Sequence, residues 1–185
     1  PERPPVMVSV NLSALQLVQP GLAQEIAATL EQTGLPPWQL SLEITETALL
    51  TDIEANLTTL HELRDIGVRV SVDDFGTGYS SLAYLRQLPV DVVKLDRAFI
   101  AGLGKDPVDT QIVAAVLRLC KALDRRIVAE GVETELQRQT LSRMGCPYMQ
   151  GFLIAKPMRT EEFESYWAGL NGNGSAPDLP AVVES

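Results

Sequence analysis

The run Val68-Arg69-Val70-Ser71-Val72-Asp73-Asp74-Phe75-Gly76-Thr77-Gly78 carries a β-branched alternation into two adjacent carboxylates and a glycine-bearing loop. The alternation predicts a strand over Val68–Val72. Neighbouring carboxylates at the exit of a buried strand repel each other and are costly in a low dielectric unless a cation neutralises them. A metal site is therefore the first hypothesis for Asp73 and Asp74.

Working outward, the same short apolar pattern recurs at Val6–Val10, Leu40–Thr45, Val90–Leu95, Arg126–Ala129 and Tyr148–Leu153, six predicted strands with the first. Amphipathic spacing between them predicts helices over Leu22–Thr33, Ile53–Ile66, Ser80–Gln87, Asp109–Leu123 and Glu133–Met144, with a last one at Thr160–Leu170. Asp109 and Thr160 are expected to be N-caps, and Gly34 and Gly67 helix stops. Strands alternating with helices give a parallel sheet with helices outside. Asn11, Glu43, Asp73, Lys94, Glu130 and Gln150 all fall at or just before the C-terminal end of a predicted strand. A (β/α) barrel of the TIM type gathers polar residues from many strands at that face, whereas an open doubly wound sheet rarely recruits all six. Such barrels have eight strands and roughly 250 residues. The expectation is thus an α/β, TIM-type barrel, incomplete, over residues 1–170, followed by a disordered tail over residues 171–185 rich in Gly, Asn, Ser and Pro.

The 185 residues are 45% hydrophobic and 21% charged, enough for one good core. A formal charge of −9 argues against binding a nucleic-acid polymer, and no basic run suggests docking on an anionic membrane. If the substrate is anionic, metal ions must carry the attraction. No window has the apolar length of a membrane span and no signal peptide opens the chain, so a soluble protein without membrane insertion is expected. Cys120 and Cys146 read as reduced thiols, which fits a cytoplasmic location. The first residue is proline, as expected of a piece of something longer, whose upstream segments could anchor it to a membrane.

Val10-Asn11-Leu12-Ser13, Leu42-Glu43-Ile44-Thr45-Glu46, Asp73-Asp74-Phe75-Gly76-Thr77-Gly78-Tyr79-Ser80-Ser81-Leu82, Val93-Lys94-Leu95-Asp96, Ala129-Glu130-Gly131-Val132-Glu133 and Gln150-Gly151 occur in that order, each at a predicted strand end. Together they resemble the EAL family of bacterial cyclic-di-GMP phosphodiesterases, over nearly everything from Val6 to Met158. The family's eponymous Glu-Ala-Leu tripeptide is absent from the sequence. What resembles the family begins at its third strand, so its first two strands, first long helix and motif glutamate are expected upstream of Pro1.

The resemblance implies hydrolysis of cyclic-di-GMP to linear pGpG with two divalent ions, Mg²⁺ or Mn²⁺, consistent with hard oxygen ligands. By the family pattern Asn11, Glu43 and Asp73 would bind the first metal, and Asp73 and Asp74 the second. Glu130 would bind the second metal or serve as general base. Lys94 would position the attacking water or neutralise phosphate charge, Gln150 would contact the substrate, and Glu133 would orient its neighbours. The loop with Gly76 and Gly78 would support the site, be held by Glu46, and lie at a homodimer interface with the following helix. A sensory or diguanylate-cyclase-like (GGDEF-type) domain is the implied upstream partner, and weak or no turnover is expected of the fragment alone.

Each residue also has a plainer reading. A single strand-end Asn, Glu or Gln is usually a cap or loop anchor, and Lys94 could be a counter-ion of Asp96 or Asp73. Paired glycines often mark tight turns. Glu46 could be an exposed acid favoured by a helix dipole, and His61 reads as a solvated surface residue. At the level of function, the alternatives are a non-catalytic module that binds cyclic-di-GMP or a protein, and an unrelated Mg²⁺-and-lysine barrel enzyme of the enolase-like kind.

Overall fold

The computed structural model describes residues 6–78 and 82–172. Six strands are β1 (Val8–Asn11), β2 (Leu40–Thr45), β3 (Arg69–Phe75), β4 (Val92–Leu95), β5 (Arg126–Ala129) and β6 (Tyr148–Met149). All five pairings are parallel and the spatial order follows the chain, β1 to β6. A doubly wound sheet reverses its strand order at a switch point, and this one never does. The sheet is the major part of a TIM-type (β/α) barrel, incomplete at six strands, with β1 and β6 as its edges.

Helices follow the strands as α1 (Ala14–Leu17), α2 (Leu22–Thr33), α3 (Glu46–Thr51), α4 (Ile53–Ile66), α5 (Leu82–Gln87), α6 (Arg97–Ala101), α7 (Pro107–Ala122), α8 (Glu135–Arg143) and α9 (Thr160–Gly172). The two faces of the sheet separate by the strand period of two. Leu42, Ile44, Val70, Val72, Val93, Leu95, Ile127 and Ala129 pack with Leu30, Leu60, Leu63, Val113 and Leu141 of the helices in one apolar core. Ser41, Glu43, Ser71 and Lys94 alternate with those residues on the other face and are buried too. There the Ser41 and Ser71 hydroxyls pair at 2.7 Å, which satisfies polar groups that burial would otherwise make costly. The barrel interior is therefore polar beneath its C-terminal mouth.

Gly34 and Gly67 end α2 and α4 in the left-handed conformation, at φ of 70° and 94°, as expected of helix stops. Asp109 is not an N-cap. Asp106 caps α7, its carboxylate accepting from Val108 N–H at 2.7 Å, because Pro107 takes the first helical position where its missing N–H does no harm. Thr160 is the first residue of α9 rather than its cap, and Glu162 reaches back to accept from Arg159 N–H at 3.1 Å. The last strand stops at Met149 instead of Leu153. At Gly151 (φ 155°) a Cβ would lie 2.3 Å from the Val132 backbone, and the chain turns there. Helix α9 runs two residues into the stretch expected to be a tail, and residues 173–185 lie outside the described residues. Among the described residues no helix is long and apolar enough to cross a membrane.

Candidate active site

Lys94 organises the mouth of the sheet. Its ammonium forms an ion pair with Glu43 Oε2, lies 2.8 Å from Glu130 Oε1 and 3.3 Å from Asp73 Oδ1. Four residues from β2, β3, β4 and the end of β5 thus converge although the chain separates them widely. Lys94 and Glu43 are each only 7% exposed in their side chains, with Asp73 and Glu130 at 17% and 18%, so the cluster sits in a screened environment where charges act strongly. Burial opposes the charged Lys94, but the carboxylates of Glu130, Glu43 and Asp73 outweigh it and hold the ammonium above its ordinary range. Burial pushes the Glu130 carboxyl up to about 7, with Asp73 and Glu43 adding to the rise and Lys94 opposing it.

The acidic pair is built on a break in the ladder. The β3–β4 register shifts between Val72 and Phe75, which leaves Asp73 and Asp74 in an irregular stretch of strand. Asp74 takes φ 52°, a left-handed conformation uncommon for a residue with a side chain, and its carbonyl accepts from Thr77 N–H at 3.2 Å and Thr77 Oγ1 at 2.9 Å. Bulges re-aim side chains, and here the neighbours whose charges act on Asp74 are those of the mouth. Burial, Asp73 and Asp96 raise its carboxyl above the usual range while Lys94 lowers it.

The loop beyond is pinned. Gly76 N–H donates to Glu46 Oε2 at 2.7 Å, and Glu46 is 4% exposed as the first residue of α3. A Cβ on Gly76 (φ 98°) would meet the Phe99 ring at 2.6 Å, and one on Gly78 would stand 3.0 Å from Glu46 Oε1. Helix α3 is itself held by Asn56 of α4, whose Nδ2 donates to the carbonyls of Ala48 and Leu49, both at 3.1 Å. Asn56 is a residue the sequence reading missed. It stands at a helical position that periodicity assigns no chemistry.

The remaining expected residues are more dispersed. Asn11 ends β1 opposite Glu43 and is exposed at the sheet edge. Gln150 follows β6, and its Oε1 is buried without a hydrogen-bond partner among the described residues. Glu133 is exposed, and its N–H donates to Gln137 Oε1. His61 is exposed on α4, and the two cysteines are free and buried in the core.

Among the described residues no three acidic, histidine or cysteine side chains already form a ligand cage; the carboxylates turn to Lys94 instead. The donor set nevertheless fits a hard cation. Three carboxylates around one ammonium leave an excess negative charge in a buried place, and every donor is oxygen.

The EAL domain model matches residues 2–157. The chain is 47% identical over 155 residues to the bifunctional diguanylate cyclase/cyclic di-GMP phosphodiesterase MucR of Pseudomonas aeruginosa, covering 84% of this chain but 23% of MucR. The crystal structure of the EAL domain of Mycobacterium smegmatis DcpA superposes with a TM-score of 0.84 at 46% identity, over 88% of this chain and 73% of that one. A manganese and cyclic-di-GMP complex of Klebsiella pneumoniae BlrP1 matches with a TM-score of 0.76 at 34% identity, over 80% of this chain and 38% of that one. A sequential parallel sheet with its acids and lysine gathered at one mouth agrees with that match across most of the chain, and the chain belongs to the EAL domain family.

Proposed function

We propose that this chain serves the metal-dependent hydrolysis of cyclic-di-GMP to linear pGpG. The observation that carries the reading is the convergence of Glu43, Asp73 and Glu130 on Lys94 at the C-terminal mouth of the sheet. MucR is named as a phosphodiesterase for this dinucleotide, and the BlrP1 structure holds manganese together with it.

In this reading Asn11, Glu43 and Asp73 would hold one Mg²⁺ or Mn²⁺, and Asp73 with Asp74 a second. Divalent ions there would supply Lewis acidity, making a water more acidic and offsetting the charge that gathers on the phosphate. The protein's own groups do the rest. Glu130, at the mouth beside Lys94, accepts a proton from the attacking water. Lys94 keeps its charge at any physiological pH and offers N–H donors to phosphate oxygens. The water oxygen bonds to phosphorus as the bond to the 3′ oxygen breaks. The phosphate stays on the 5′ side, and the 3′ oxygen leaves with a proton taken from solvent, while Glu130 returns the one it accepted. Gln150 contacts the substrate, Glu133 orients its neighbours, and Glu46 with Gly76 and Gly78 keeps the Asp73–Asp74 stretch in place.

The loop after Asp73 and the helix that follows it form a homodimer contact in this proposal; residues 79–81 of that loop lie outside the described residues. A GGDEF-type or sensory domain would regulate the site, and the location is cytoplasmic. A second reading is a module that binds cyclic-di-GMP without hydrolysing it. The 185-residue chain by itself is proposed to turn over weakly, since Asn11 stands exposed on an edge strand in it.

Incubation with cyclic-di-GMP and Mn²⁺, with pGpG followed by chromatography, tests both readings. A longer protein carrying this chain is expected to release pGpG, and its Asp73→Asn form to bind the dinucleotide but release none. An Asp73→Asn protein that still hydrolyses would refute the assignment of Asp73, and binding without any hydrolysis by the unsubstituted protein would favour the module.

A further inference from the structure

We propose that Gln137 is a positioning residue that sets Glu130 against Lys94. Gln137 lies in the first turn of α8 and is 7% exposed. Its Oε1 accepts from the N–H groups of both Glu133 and Thr134 at 2.9 Å, and its Nε2 donates to the carbonyl of Ile100 at 3.0 Å. Its own N–H donates to Thr134 Oγ1 at 3.3 Å. A capping box needs only the reciprocal pair with Thr134. The bonds to Glu133 and Ile100 exceed that need, and they reach in two directions.

Ile100 belongs to α6, the short helix that follows Lys94 on β4, while Glu133 lies in the loop that carries Glu130 away from β5. One neutral side chain therefore ties the connection that follows Lys94 and β4 to the connection that opens with Glu130, the two residues of the 2.8 Å Lys94–Glu130 contact. Packing agrees with the tie. Gly131 sits at φ 67°, where a Cβ would fall 2.4 Å from Arg97 Cβ of α6, and Val132 N–H donates to Gln150 O at 3.0 Å. The loop is thus wedged between α6 on one side and the Gln150 strand end on the other, with Gln137 supplying its hydrogen bonds. Because the amide carries no charge, its effect on the site is one of placement rather than of field.

The test compares Gln137→Met, which keeps the volume and loses every side-chain bond, with Gln137→Glu, which keeps the acceptor for Glu133 and Thr134 but loses the donor to Ile100. Four quantities are read: amide exchange at Glu133 and Thr134, Mn²⁺ affinity by titration, and kcat and KM for cyclic-di-GMP in a longer protein carrying this chain. For Gln137→Met, exchange at both amides is expected to rise at least about tenfold, with Mn²⁺ affinity and kcat falling by about 10- to 100-fold at nearly unchanged KM. Gln137→Glu is expected to recover amide protection and part of kcat. Faster exchange with wild-type Mn²⁺ affinity and kcat would overturn the proposal, since it would leave Gln137 a purely structural cap. Should Gln137→Met fail to fold, Gln137→Glu carries the test, and wild-type Mn²⁺ affinity and kcat in it would overturn the proposal. The kinetic arm rests on the phosphodiesterase reading. Failure of that reading would show as no turnover in the unsubstituted protein, and the exchange and Mn²⁺ arms would still decide the role of Gln137.

Discussion

Lys94→Met asks what the buried ammonium contributes. At an effective dielectric of about 20, unit charges at the Lys94–Glu130 distance of 2.8 Å attract by about 6 kcal/mol, and at the Lys94–Asp73 distance of 3.3 Å by about 5 kcal/mol, before desolvation is counted. Most of that attraction compensates for taking the groups out of water. Removing one partner of a buried ion pair costs about 3–5 kcal/mol, because the remaining charges are stranded. Methionine fills the space of the alkyl stem, so the loss isolates the charge. In urea, with a slope of about 2–3 kcal/mol per molar for a chain of this size, the midpoint should fall by about 1–2 M in the presence of EDTA. Mn²⁺ should then restore more stability to Lys94→Met than to the wild type, about 2.7 kcal/mol at a hundredfold excess over its dissociation constant, because the three carboxylates no longer compete with an ammonium. Glu43→Gln added to Lys94→Met should cost less than the two changes separately sum to, since both ends of one pair are then gone. An EDTA midpoint equal to the wild type, or strictly additive losses in the cycle, would refute the view that Lys94 neutralises the cluster.

Two further predictions concern the frame of the site. Gly151→Ala should lower stability by at least about 2 kcal/mol, or about 4–8 °C in Tm, because the new methyl meets Val132 backbone at 2.3 Å; Gly145→Ala, at φ 77° with nothing within 4 Å, should cost only about 1 kcal/mol, and equal losses in thermal melts would remove the steric argument. Burial raises both cysteine thiols from their ordinary value of 9.0 to about 11, so the folded chain holds protons there that the unfolded chain has released. Stability should therefore decline as pH rises from about 9 to about 11, with alkylation at pH 8 slow until denaturant is added; fast labelling of the native chain would contradict the burial.

The strands and the mouth were legible because two signals coincide in the sequence. Apolar alternation marks β2 to β5, and a polar residue interrupts it near the C-terminal strand ends at Glu43, Asp73, Lys94 and Glu130. Helices α1, α3 and α6 were not foreseen, since four to six residues barely show a helical period; α5, equally short, was expected from the run Ser80–Gln87. The bulge at Asp73–Asp74 stayed hidden for a related reason. The residues look like the end of a strand, and only pairing with β4 reveals that the ladder slips there. Glu46 had two readings of equal weight from sequence; its burial and its bond to Gly76 N–H are tertiary facts. Asn56 and Gln137 were missed because a polar residue inside an amphipathic helix ordinarily faces water. Their buried amides bond to α3 and α6 instead.

Strand order equals chain order, and that fixes a timetable for the charges during synthesis. Glu43 and Asp73 precede Lys94 in the chain and come to lie two register positions apart on neighbouring strands when β3 docks on β2, while Lys94 follows Glu43 by 51 residues. Until β4 docks, the acids that β2 and β3 bring to the mouth stand without Lys94. The arrival of β4 removes the repulsion in one step. Glu130 joins after β5, entering a cluster whose charge Lys94 already partly compensates.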